Sequence, residues 1–374
     1  MNRSDQRWRI LAIVAEAYGR SGGIAQFNRN LLEAMAAHDD VDLRVLALFG
    51  SVTPDVPQSL TFKVPAPGSK VGFAMAALLE SLKKRPDMVL NGTVGFGPLA
   101  LPLKALSRGP LWTTTHGIDV WQPGPRLDNA GLGRSDLVTT VSEYTRTRLR
   151  EWSGIPAERI RLLHNTIDLA RYTPGPPLEQ LIDRYGVRGK KVLLTVGRLS
   201  AAERYKGQDR VIRVLADLER SAGPVRYIIA GSGDDRPRLE ELARASKVSH
   251  LITFAGFVPD EEIQDHYRLA DVFVMPSTGE GFGIVFLEAM ACGCPVIAGN
   301  RDGSVDALAN GELGRLVDPH SSEELLQALA ETLGEGRRHD RSIPGLERFS
   351  IPRFRDRVDE LIAGLRQGRR TRNE

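Results

Sequence analysis

VFVMPSTGEGFGIVFLEAMACGCPVIA, Val272–Ala298, decides the fold. Val272–Met275 is a short, wholly apolar run rich in β-branched residues, as a strand buried on both faces requires. A glycine-rich loop follows, then a helix over Ile284–Ala291, and a second apolar run at Pro295–Ala298. Strand, helix and strand in so short a span form a parallel unit with a crossover helix. Gly281 and Gly283 stand where that helix begins, and glycine lets the backbone approach a ligand closely. Free amides and the helix dipole there suit a phosphate. Glu280 precedes the glycines and Glu288 lies one turn into the helix, so two carboxylates flank the cradle. Each carboxylate is an acceptor for the paired hydroxyls of a sugar or ribose.

The same rhythm runs outward in both directions. Downstream of the linker-like TPGPP at Thr173–Pro177, strands are expected at Val192–Val196, Tyr227–Ala230 and Leu251–Ala255. Helices are expected at Asp209–Arg220, Pro237–Ser246, Asp260–Ala270 and Ser322–Leu333. Upstream, strands are expected at Ile10–Val14, Leu43–Phe49, Met88–Leu90, Leu111–Thr115 and Leu137–Val141. A helix following Gly19–Gly23 carries Ile24, Phe27, Leu31 and Met35 at helical spacing, and Val71–Lys84 is a second helix ended by Pro86. The chain thus divides into an α/β domain over residues 1–170, a second over 171–350, and a last segment, 351–374, with a helix Pro352–Leu365 that could return to the first domain, although its composition alone does not show it, before a frayed basic tail with Arg366, Arg369, Arg370 and Arg372.

Composition narrows the function. The 374 residues are 41% hydrophobic and 26% charged with a net charge of +3, an ordinary globular balance that calls for no nucleic acid. Cys292 and Cys294, the only cysteines, are too close for an ordinary disulfide and too few for a zinc site, which fits a reducing, cytoplasmic setting. No run reaches the roughly 18 apolar residues of a spanning helix. The polar start followed by Ile10–Ala15 reads as a buried first strand rather than a leader peptide.

Other residues with chemistry sit at strand ends. Arg198, in VGRLSAAERYKG at Val196–Gly207, follows a buried strand, and Lys206 comes after it beside Gly207. Arginine grips phosphate bidentately and lysine as a point charge, although both also suit a solvated surface. His116 follows the strand Leu111–Thr115, in a Gly-Asp turn where a structural histidine is as natural as a functional one. Gly22 and Gly23 follow the first strand. Asp40-x-Asp42 has the form of a metal-binding pair but reads as a solvated turn. Trp121 fits either sugar stacking or packing, and Val71–Leu82 with Lys83, Lys84 and Arg85 fits either a packed crossover helix or a helix lying on an anionic membrane.

From about Ile10 to Pro319 the chain resembles the family-4 retaining glycosyltransferases of GT-B fold. The carrying motifs are Glu280-x7-Glu288, VGRL with KG at Val196–Gly207, GSG at Gly231–Gly233, and FAGFVPDEEI at Phe254–Ile263; SGGIAQF at Ser21–Phe27, THG at Thr115–Gly117 and SVDAL at Ser304–Leu308 join them. The resemblance implies two Rossmann-like parallel-sheet domains facing across a cleft. It implies transfer of a hexose, with retention, from GDP-mannose or a UDP-hexose to a lipid-linked or polysaccharide acceptor in bacterial surface glycan synthesis, lipopolysaccharide included. Arg198 and Lys206 would hold the donor diphosphate in place of a metal, and no cofactor is implied. Glu288 would bind ribose, and Glu280, with amides of Gly281, Phe282, Gly283 and Ile284, the sugar hydroxyls and phosphate. Gly231, Phe257 and Val258 would line the nucleotide, Gly22 and Gly23 the phosphates, and His116 the donor sugar near its reacting face. A cytoplasmic enzyme, peripheral on the inner face of the plasma membrane, is implied. A sugar-nucleotide epimerase or a non-catalytic sugar-nucleotide binder of the same architecture are the alternatives. Three departures stand out: extra residues around Glu203 and Arg204, which could displace Lys206 by a position; NTID at Asn165–Asp168 without the usual glycine; and Asp302 where relatives carry a small residue.

Overall fold

The computed structural model describes residues 7–107, 109–336 and 343–373, the last five of these by backbone alone. It separates into two compact units. The first runs to Thr166 and takes the chain back from Ile351, and the second is Ile167–Ser350.

In the first unit the strands are β1 Trp8–Val14, β2 Val41–Ala47, β3 Leu60–Lys63, β4 Met88–Asn91, β5 Leu111–Thr114, β6 Leu137–Thr140 and β7 Ile160–Leu162. All pair in parallel in the order β3-β2-β1-β4-β5-β6-β7, with Ile10 opposite both Leu43 and Met88. In the second, β8 Lys191–Val196, β9 Val225–Ala230, β10 Ile252–Gly256, β11 Val272–Met275, β12 Val296–Gly299 and β13 Arg315–Val317 pair in parallel in the order β10-β9-β8-β11-β12-β13. The central strands β4, β11 and β12 are buried along their whole length, which is why they read as apolar runs, broken only by Asn91 at the end of β4. Chain order reverses between β1 and β4 in one sheet and between β8 and β11 in the other. Ligands of open parallel sheets bind beyond the carboxyl ends of strands at such reversals.

Several expectations from the sequence need correction. β3, β7 and β13 are edge strands of three or four residues with half-polar patterns such as LTFK and IRL, too short and mixed to stand out. Helices Gly97–Ser107, which carries Pro102 inside it, Arg126–Gly133 and Glu143–Ser153 were also not anticipated. Asp42 lies in β2 rather than in a turn, paired with Arg44 at 3.4 Å. The segment Thr173–Pro177 is no loose linker, because the Thr173 carbonyl accepts from Arg268 Nε (3.0 Å) and Gln264 Nε2 (3.3 Å).

The C-terminal helix runs over Ile351–Asn373 and packs on the helix Gly23–Ala36. Phe354 meets Phe27 edge to face at 6.0 Å, and His38 Nε2 lies 2.8 Å from Asp359. Arg366, expected in a frayed tail, donates to Asp40 at 2.7 Å with its guanidinium 4.7 Å from the Trp8 ring centre, which carries the helix past Leu365. The side chains of Arg369, Arg370 and Arg372 lie outside the described residues.

Candidate active site

The second unit's reversal point is where the cations and carboxylates converge. Arg198 leaves the end of β8, and a 3-10 turn over Ala201–Lys206 follows, its start capped by the Ser200 hydroxyl, which accepts from the Ala202 amide at 3.3 Å. Gly207, at φ 82°, ends the turn and opens the helix Gln208–Ala222. A Cβ on Gly207 would lie 2.5 Å from the Pro276 carbonyl oxygen, so only glycine lets this loop settle on the segment beyond β11. The settling is held by the Thr278 amide donating to the Tyr205 carbonyl (3.0 Å) and by Arg210 Nη1 donating to the Pro276 carbonyl (2.6 Å).

This stacking brings Lys206 Nζ to 3.1 Å from Glu280 Oε2, with 12% and 18% of the two side chains exposed. Glu203 and Arg204 lie within the 3-10 turn, and it is Lys206 that reaches the carboxylate. Burial alone would push its ammonium toward the neutral form; Glu280, Tyr205 and Glu203 together outweigh burial and raise its pKa, so Lys206 is charged at neutral pH. Arg198 pairs with Glu203 while 81% of its side chain stays exposed.

Glu280 is fixed from below by Asp302. This fully buried carboxylate accepts from the Glu280 amide (2.7 Å), the Ser277 hydroxyl (2.6 Å) and the Ser304 amide (2.9 Å). The Gly303 amide in turn donates to the Glu280 carbonyl at 2.9 Å. Asp302 is a departure with no evident purpose in the sequence, and the fold supplies one: it pins the loop that presents Glu280. Beyond it Gly283, at φ 90°, opens the helix Ile284–Ala291; Phe282 and Ile284 are buried, and Phe282 packs edge to face on Phe349 at 5.6 Å. Gly231 packs against the backbone after β8, where a Cβ would run into the Gly197 carbonyl; its amide donates to the Gly256 carbonyl at 2.7 Å. Phe257, just beyond β10, is 69% exposed, and Val258 is half-buried.

Glu288 is enclosed by the fold. It is 8% exposed, and its oxygens accept from two tyrosines, Oε1 from the Tyr172 hydroxyl at 3.2 Å and Oε2 from the Tyr267 hydroxyl at 2.7 Å. Burial raises its pKa above the usual carboxylate range, and the two hydroxyls pull it part of the way back. A raised carboxyl pKa means that folding favours the protonated form, so the ionised form depends on those hydroxyls. Tyr267→Phe removes one of them and pushes the Glu288 pKa up further. If ionised Glu288 grips the donor, the acid limb of donor KM against pH moves to higher pH in this variant; an unmoved limb separates Glu288 from donor binding.

In the first unit, Gly22, at φ 121°, opens the helix Gly23–Ala36 after β1 with no side-chain cap. Space around it is open, since an added Cβ would meet nothing within 4 Å. His116, after β5, donates from Nε2 to the Gly92 carbonyl at 2.9 Å, because a carbonyl can only accept. Its amide donates to the Asp119 carboxylate at 3.0 Å, and Phe27 meets its ring edge to face at 5.2 Å. The imidazole is therefore held by the Gly92 carbonyl and the Phe27 ring, and its backbone by Asp119, beside the reversal between β1 and β4. Trp121 is committed to packing, with Nε1 donating to Thr145 Oγ1 at 3.2 Å and Tyr144 against its ring at 5.0 Å. Both cysteines are buried thiols, and among the described residues no three His, Cys, Asp or Glu side chains gather as a metal site.

Two parallel-sheet units, the second with an arginine, a lysine and a glutamate at its reversal point, define a glycosyltransferase of GT-B architecture. The chain belongs to the family-4, group 1 glycosyltransferases: the Glycosyltransferase Family 4 profile matches residues 21–171 and that of Glycosyl transferases group 1 matches residues 179–344. It is 32% identical over 301 residues to a GDP-mannose-dependent alpha-(1-6)-phosphatidylinositol monomannoside mannosyltransferase of Mycolicibacterium smegmatis, covering 74% of this chain and 78% of that protein. It is 30% identical over 204 residues to alpha-D-kanosaminyltransferase of Streptomyces kanamyceticus, covering 54% of this chain and 52% of that one. Among solved structures, sucrose-phosphate synthase from Thermosynechococcus elongatus superposes with a TM-score of 0.77 at 21% identity, over 97% of this chain and 100% of that one. Anabaena HepE in complex with UDP-glucose gives 0.77 at 21%, over 95% and 99%. These likenesses establish the fold.

Proposed function

We propose that this glycosyltransferase moves mannose from GDP-mannose, with retention of configuration, to a hydroxyl of a lipid-linked acceptor, with a UDP-hexose as the second choice of donor. The observation that carries the reading is the Lys206–Glu280 pair at the carboxyl ends of β8 and β11, with exposed Arg198 beside it. Arg198 and Lys206 would neutralise the diphosphate as it leaves, the electrostatic term that is usually largest and that metal-dependent transferases take from a bound ion. Amides of Gly281–Ile284 would add to it, Glu280 would accept from sugar hydroxyls, Glu288 from ribose, and Gly231, Phe257 and Val258 would border the nucleotide. As the bond from the sugar's anomeric carbon to phosphate breaks, the acceptor oxygen bonds that carbon on the same face and its proton passes to the departing phosphate oxygen. Gly22 and Gly23, at a helix start in the first unit, would offer amides to the phosphates, and His116 of the same unit would meet the donor sugar.

The mannose assignment is supported by the named activity of the Mycolicibacterium relative, and the lipid acceptor by a surface feature. The helix Lys70–Lys84 buries Phe73, Ala77 and Ser81 but leaves Val71, Met75, Leu79 and Leu82 between 49% and 76% exposed, all on one face. Exposed Lys70, Lys83, Lys84 and Arg85 border that stripe, so it suits an anionic lipid surface. No described helix is long and apolar enough to cross a membrane. The test is transfer from GDP-mannose or UDP-glucose, with excess EDTA, to phosphatidylinositol in phosphatidylglycerol vesicles. Mannosyl transfer undiminished by EDTA is expected. Loss of activity that manganese restores, or donor consumption independent of acceptor lipid, would contradict the reading.

A further inference from the structure

The two cations of the proposed diphosphate grip already hold an anion that belongs to the chain. The Glu203 carboxylate sets Oε1 on the Arg198 guanidinium and Oε2 3.5 Å from Lys206 Nζ. Its side chain is only 12% exposed, although it sits on a surface turn. The backbone turns it inward: Glu203 takes a non-helical conformation (φ −116°, ψ 24°) within the 3-10 turn, and its amide donates to the Ser200 carbonyl at 2.8 Å. A carboxylate shared between an arginine and a lysine offers those cations what a phosphate would offer, acceptor oxygens and negative charge. The charges of Arg198 and Lys206 are balanced by Glu203 and Glu280, so the cluster is neutral. A nucleoside diphosphate entering a neutral cluster gains little unless one carboxylate withdraws. Glu280 is tied through its own amide to buried Asp302, whereas Glu203 rides on the kinked turn.

We infer that Glu203 is an internal stand-in for phosphate, which occupies the diphosphate position in the empty site and is exchanged for the donor when it binds. It sets nucleotide affinity, and it speeds product departure by returning to Arg198 and Lys206 as the nucleoside diphosphate leaves. The inference rests on the donor-grip reading above, and one titration series separates the two. Binding of GDP, GMP and guanosine, with UDP in parallel, is measured by calorimetry on the parent chain and on Glu203→Gln, Glu203→Ala and Lys206→Ala.

Glu203→Gln, which keeps the shape and removes the charge, is expected to bind GDP roughly tenfold tighter, with a smaller gain for GMP and none for guanosine. Glu203→Ala should follow the same order. Equal or weaker GDP binding in both Glu203 variants, alongside loss of binding in Lys206→Ala, would overturn the stand-in role and leave the grip intact. GDP and UDP affinities untouched by Lys206→Ala, or no binding of either nucleotide to the parent chain, would overturn both.

Discussion

Lys206→Ala is expected to lower turnover by roughly 100-fold, the scale seen when one group that stabilises developing charge is removed. The ammonium sits 3.1 Å from Glu280 and 3.5 Å from Glu203, and its charged state is maintained by both. Its loss leaves the Glu280 carboxylate without its counter-charge beside the place where the leaving diphosphate gathers charge. That charge is greater in the transition state than in the bound donor, so kcat should fall more than KM rises. Lys206→Arg keeps the charge but replaces a compact ammonium with a planar fork, and should recover only part of the rate. The check is a steady-state comparison of the three chains, with donor saturation established for each. Near-parent kcat in Lys206→Ala would remove Lys206 from the chemistry.

Asp302→Ala is expected to destabilise the second unit by about 3 kcal/mol. It deletes the acceptor of three hydrogen bonds and leaves the Glu280 and Ser304 amides to find new partners in a buried setting. Because a chain of two units need not unfold in one step, a local readout is the better check. Amide exchange at Glu280 and Ser304 should accelerate strongly, while exchange in β1 and β4 stays at parent rates. Turnover should fall as well, since Glu280 loses its anchor to the loop floor. Asp302→Asn retains an acceptor and should be milder on both counts. Parent-like protection at Glu280 in the alanine variant would show that another contact pins the loop.

How much of this was legible in the sequence follows from where each signal resides. The strands β8, β11 and β12 and the helix Ile284–Ala291 were readable because central parallel strands bury both faces and a glycine pair marks the helix start. Arg198 and Glu280 could be placed at strand ends for the same reason. The edges of both sheets were not readable, because β3, β7 and β13 are short and half polar. Nor were the partners of the site residues. Tyr172 reaches Glu288 across 116 residues and Asp302 reaches Glu280 across 22, and neither contact leaves any periodic trace. For Glu288, helical spacing gives a face, and burial between two tyrosines comes only from the fold. Glu203 was visible as an extra residue, but its place between Arg198 and Lys206 depends on the kinked turn.

The most direct test of the central claim is the stereochemistry of a single reaction. GDP-mannose labelled with carbon-13 at the anomeric carbon is incubated with the protein and acceptor lipid vesicles, and the one-bond carbon–proton coupling at that carbon is followed by NMR. Same-face transfer from a grip built on Arg198, Lys206 and Glu280 predicts a lipid-bound mannose with the α configuration of the donor, formed only when acceptor is present. A β-linked product would contradict retention, and conversion of the donor to another sugar nucleotide without acceptor would make the protein an epimerase.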